Sequence, residues 1–273
     1  MMYHFHLCSE NHEAFTKQVK ELEEKLEEKK LHLDRFGVSI DYSMSLPKEM
    51  RKDHKAGNAL YFAEQKDWDL LGQSPLMQPH LGDNMIGSPA CDETVLSALR
   101  AGVTTMGNIS QFFGWDYPEF TDVEARTKST LKAIAYMAAN RDRGTLIHSN
   151  LDDGYGDKAP DLGTLIGCAL LEKYIVETLM GAKIVHSFGD MFHSPMKRLV
   201  FTSALKQIHG DDIMGSMIFA NKLGRNAKNP ELNTAHMSEY LLFDMAGQTV
   251  YQTGHAITTM GNQGLIPEVT TDE

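Results

Sequence analysis

Short apolar runs alternate along this chain with longer stretches in which apolar positions recur every three or four residues. YHFHLC (3–8) reads as a strand, and AFTKQVKELEEKLEEKK after it reads as an amphipathic helix whose Glu/Lys face meets solvent. FGVSIDYSM (36–44) predicts a second strand, with a helix following over about 48–71. Pro75 and Pro79 break the chain before a third strand near NMIGS, and Asp92-Glu93 opens a short helix to Arg100. The pattern then gives strand VTTMGNIS, helix 121–139, strand TLIHSN, helix 161–180 and strand AKIVHSF. Helix 195–208, strand IMGSMIFAN, helix 234–246 and strand HAITTM near 255–260 complete it.

Eight strands separated by helices imply a parallel sheet with right-handed crossovers, and eight repeats imply closure into an α/β (β/α)8 TIM-type barrel. The whole of 1–273 then forms a single barrel domain. No G-x-G-x-x-G follows the first strand, so the alternative of an open doubly wound sheet lacks its usual signature. The sequence stops at TTDE, where an eighth helix would begin; either that helix is missing or a partner covers the gap.

Composition narrows the setting. The 42% apolar and 23% charged content is that of a globular chain, and a net charge of −11 argues against a nucleic-acid partner. No run nears the roughly 18 apolar residues of a membrane span, and the N-terminus does not read as a signal peptide. Cys8, Cys91 and Cys168 form no CxxC and read as buried free thiols, which fits a cytoplasmic protein.

Active sites of such barrels lie at the carboxyl ends of the strands. Those positions collect His4, His6, Asp41, Tyr42, Gln78, His80, Asn108, Gln111, His148, Asn150, His186, Asp190, Asn221 and His255. Two loops add to them: SNLDDGYGDKAPDLG, read as a lid or a solvated turn, and MGNISQFFGWDYPEF, where Trp115 and Tyr117 present flat apolar surface. His4-x-His6 puts two imidazoles on one side of a strand, and with His148 and His186 makes the histidine set of a metal-dependent, amidohydrolase-like hydrolase. The last strand, GHAITTMGNQG, lacks the carboxylate that chemistry wants.

The order of motifs over 85–200 resembles the large, barrel-forming subunit of cobalamin-dependent glutamate mutase (methylaspartate mutase). GNISQ (107–111) stands where that family has Gly-Asn-x-x-Gln, and His148 ends the next strand. In HSFGDMFHSPMK, His186, Asp190, Pro195 and Lys197 keep the spacing of the family's Lys, Glu and Pro-x-Lys. The resemblance implies an isomerase using adenosylcobalamin, with Asp190 as the ribose carboxylate, His186 its companion donor, and Gly107, Asn108, Gln111 and Lys197 on the coenzyme side. It implies a radical carbon-skeleton rearrangement of a small carboxylic or amino acid oriented by His148, Asp41 and Tyr42. It also implies an oligomer with a separate small cobalamin-binding subunit, since this chain has no D-x-H-x-x-G. The family's arginine cluster has no counterpart, because Arg35 and Arg51 are the only arginines before Arg100; a non-catalytic relative is therefore a third reading.

Overall fold

A computed structural model of the chain describes all residues except 1, 8, 10, 58, 75, 160, 190–193, 214, 219–229 and 259–273. Its strands are β1 (Met2–Leu7), β2 (Arg35–Val38), β3 (Gln78–Leu81), β4 (Thr105–Met106), β5 (Leu146–Asn150), β6 (Ile184–Ser187), β7 (Met217–Ile218) and β8 (Ala256–Thr258). All pairings are parallel, in the order β6-β5-β4-β3-β2-β1-β8-β7. Because β1 pairs with both β2 and β8, the sheet curls into the expected (β/α)8 barrel, with its remaining gap between β6 and β7. Across that gap the His255 imidazole bonds the His186 carbonyl oxygen at 2.7 Å.

Between the strands run α1 (His12–Lys29), α2 (Gln65–Asp69), α3 (Cys91–Arg100), α4 (Ser110–Gly114), α5 (Val123–Ala139) and α6 (Leu151–Tyr155). They are followed by α7 (Leu162–Lys173), which continues as a π-turn over Tyr174–Leu179, then α8 (Pro195–His209) and α9 (Pro230–Tyr251). Side chains of Asn11, Asp122 and Asp161 accept amide hydrogens in the first turns of α1, α5 and α7, and Pro195 opens α8 where no amide is needed. The main core lies outside the barrel wall: Phe36, Val38, Leu81, Met106, Ile147 and Ile184 meet Phe15 and Leu22 of α1, Val95 of α3 and Ile134 of α5. Between α8 and α9, the fully buried Arg198 pairs with Asp244 at 2.9 and 2.6 Å.

Two predicted elements move. Residues 48–71 hold 3-10 turns and the short α2 in place of one helix. Asp41 accounts for this: its carboxylate accepts from the amides of Ser43, Ala56 and Gly57 and from the Ser43 hydroxyl, tying the chain into a loop. The third strand is QPHL, not NMIGS. Pro79 is tolerated because β4 begins to pair only at His80, one residue later, so Pro79 has a neighbour on one side. The region after β8, where an eighth helix would fall, lies outside the described residues.

Candidate active site in the barrel lumen and mouth

The barrel interior is polar. Usually Val, Ile and Leu fill this space; here β1 sends in His4 and His6, β3 His80 and β5 His148. Ring centroids lie 6.0 Å apart for His4–His6 and His4–His80, and 4.8 Å for His80–His148. Contacts between alternate strands can be made only across the lumen. Gly37 of β2 makes room for them: a Cβ there would sit 2.5 Å from His6 Nδ1 and 2.7 Å from His4 Nε2. Hydroxyl groups hold the outer nitrogens, with His4 Nδ1 to Thr258 at 3.1 Å, His6 Nε2 to Ser39 at 2.9 Å and His148 Nδ1 to Ser216 at 2.6 Å. His80 differs. Fully buried, it has no hydrogen-bond partner on either nitrogen among the described residues.

Burial is the main force on these groups. It pushes His4 and His80 well below the ordinary imidazole value, His6 down to about 4 and His148 down to about 3. The Arg35 guanidinium, buried on β2, adds to the effect on His4, His80 and His148. Arg35 donates to Gln78 Oε1 and to the Gly215 carbonyl, and its own value falls to about 10 by burial. The lumen therefore holds four neutral imidazoles beside one fixed cation.

Above them the carboxyl ends of β3, β4 and β5 form a mouth of carboxylates and amides. The exposed Asp83 accepts from Gln111 Nε2 at 2.8 Å and from Asn108 Nδ2 at 3.4 Å. Asn108 Oδ1 accepts from the Asn150 amide at 2.8 Å, and Asn150 Nδ2 donates to Asp153 at 3.0 Å. Asn150 Oδ1 is buried without a partner among the described residues. Glycines at two strand ends separate this mouth from the imidazoles by main chain alone. A Cβ at Gly82 would lie 3.8 Å from His80 Nε2, and one at Gly107 would lie 2.7 Å from His148 Cδ2.

Of the residues singled out from the sequence, this arrangement brings together His4, His6, His80 and His148 in the lumen and Gly107, Asn108, Gln111 and Asn150 at its mouth. Asp41 lies apart with its oxygens occupied by the loop it ties, and those bonds hold its carboxyl below the ordinary value despite the opposing effect of burial. Tyr42 donates to Glu119 at 2.7 Å and stacks on Tyr117. His186 faces the opposite way from the expected rim. Register pairs Ser149 with His186 and His148 with Val185, so β6 turns His186 out of the lumen. There it lies 3.2 Å from Glu172 of α7 and 2.8 Å from His209 of α8, while Tyr155 donates to the other Glu172 oxygen at 2.6 Å. Lys197 is exposed on α8, and Asp190 and Asn221 lie outside the described residues. The glycine-rich segment read as a lid or a solvated turn begins instead with α6, where Leu151, Asp152 and Tyr155 are buried. Asp83 and Ser216 were not foreseen; with β3 placed at QPHL, LGDN becomes a strand end and Asp83 stands out.

Comparisons with known proteins give little beyond the fold. No family model matches the chain, and no curated protein is similar to it. Among solved structures the barrel is similar to Xanthomonas albilineans dihydropteroate synthase in complex with indole-2-carboxylic acid and 6-chloroguanine, at 12% identity and TM-score 0.48, covering 96% of this chain and 86% of that one. The same enzyme with 4-aminobenzoic acid matches at 12% identity and TM-score 0.48, over 95% and 86%. Likeness at that level says nothing of this chain's ligand. The mutase kinship expected from the sequence is not borne out: no family model matches the chain, and these solved structures are dihydropteroate synthases, not cobalamin-dependent mutases. The isomerase reading and its non-catalytic variant fall together, and adenosylcobalamin and the small subunit, which entered only through that resemblance, are not carried further. The metal-dependent hydrolase falls too; among the described residues no three His, Cys, Asp or Glu side chains group to hold an ion. No helix among the described residues is long and apolar enough to cross a membrane.

Proposed function

We propose that this barrel is an enzyme for a small substrate that presents N–H donors, such as an amine, amidine or amino-substituted ring, bound at the mouth of β3–β5. The observation that carries the reading is a neutral, partnerless His80 beneath an acceptor-rich rim. An imidazole buried with neither nitrogen bonded is costly, and a substrate group entering the lumen from the mouth, past the Gly82 and Gly107 corners, would relieve that cost. Asp83, Asp153 and the Asn150 carbonyl are acceptors, so the rim selects donors, and the chain's charge of −11 favours a cationic or neutral ligand. His80, kept uncharged by burial, serves as a hydrogen-bond partner that polarises the substrate rather than as a strong base.

Calorimetric titration with benzamidine and its isostere benzoate tests this. Benzamidine should bind and benzoate should not. Asp83→Asn removes a charge-assisted contact of about 1.5–3 kcal/mol, weakening benzamidine roughly 10- to 150-fold. Equal binding of benzoate, or an unchanged affinity in Asp83→Asn, refutes the proposal.

A further inference from the structure

The outer face of α7 is unlike the rest of the surface. From Leu162 to Leu171 the helix reads LGTLIGCALL, ten residues without a charge. Leu165 and Ala169 point into the core. The opposite stripe, Gly163, Gly167, Leu170, Leu171 and Tyr174, follows helical spacing and is exposed, with Leu170, Leu171 and Tyr174 at 52%, 49% and 53%. Leu179, at the end of the π-turn, and Met196 and Val200 on the neighbouring α8 are likewise more than half exposed. A helix apolar on every side is normally covered on every side.

We propose that this face is the twofold interface between two copies of the chain. Charge and area both favour that occupant. A chain carrying −11 repels its own copies and anionic membrane surfaces alike, except where it presents no charge. The strip along α7 from Leu162 to Leu171 carries no charge and matches its own image across a twofold axis, with the exposed Lys197 of α8 at its edge. The six apolar side chains leave roughly 600 Å² per copy, or about 1,200 Å² across a pair, above the ~1,000 Å² a specific interface needs. Gly163 and Gly167 let the two helices approach closely; a Cβ at Gly167 would meet nothing within 4 Å of its own chain.

Sedimentation equilibrium of the full chain should give twice its 30.5 kDa at micromolar concentration. Leu171→Glu should yield a monomer with unchanged far-UV circular dichroism. Gly167→Glu guards against misfolding, because it favours the helix and has open space around it, yet plants a charge on the axis. It should weaken the dimer at least tenfold while the monomer melts no lower. Leu131→Glu, on the exposed side of α5, should leave the dimer intact. A monomeric wild type, an undisturbed dimer in both glutamate variants, or co-pelleting of wild type with phosphatidylcholine vesicles would each overturn the proposal.

Discussion

A barrel that keeps neutral histidines in its lumen must lose stability in mild acid, and the size of the loss follows from their burial. The unfolded chain binds a proton at each histidine as pH falls through about 6.5. In the folded protein the lumen histidines His148 and His6 resist until about 3 and about 4, and His255, buried at the β6–β7 gap outside the lumen set, until about 4, burial being the main cause in each case. Between those limits the unfolded state holds more protons, so stability falls as pH falls; it is fully present above 6.5 and stops falling below about 3–4. At pH 5 each such histidine costs about 2 kcal/mol, so these three alone remove about 6 kcal/mol from a typical reserve of 5–15 kcal/mol. His4 and His80, shifted the same way, add to it. Urea unfolding followed by circular dichroism at pH 7.5, 6.5, 5.5 and 5.0 measures this. The midpoint should drop steeply below 6.5 at a constant slope m, with about three or more protons taken up on unfolding. His148→Gln should lower that uptake by about one proton. A midpoint flat from pH 7.5 to 5.0, or equal proton uptake in the variant, refutes the neutral lumen.

Two further substitutions probe the packing. Gly37→Ala drives a methyl against the His4 and His6 rings, and it should cost about 1–3 kcal/mol by urea unfolding, with shifted imidazole signals in NMR. Arg198→Met strands Asp244, whose carboxyl burial already pushes up, and should cost about 3–5 kcal/mol. Adding Asp244→Leu should recover most of that loss, and a double variant no better than the single would deny the pair its role.

What the sequence carries and what it hides divide along a physical line. Periodicity placed α1, α5, α7 and α8 within a few residues, because each must bury one face and cap its first turn. It could not see the Asp41 knot, where a side chain 15 and 16 residues away satisfies the Ala56 and Gly57 amides and replaces a helix with a loop. The site was harder for a different reason. Both faces of a parallel strand are buried, so AKIVHSF carries no polar alternation to say which residues face the lumen. Shifting parity by one residue exchanges every inward and outward side chain. Reading His186 as inward gave a rim ligand; the register with β5 makes it outward, bound to the helices.

The same ambiguity also explains why the lumen was only half legible. His4 and His6 share a face by spacing alone, but their meeting with His80 and His148 needs the skipped strands to be small on the inside. Gly37 on β2, together with Gly107 just beyond β4, supplies that condition. A glycine at an inward position thus carries as much information about the site as the histidines it admits. The four rings sit over glycine because a side chain at either position would drive them apart, and the polar lumen exists only where both features coincide.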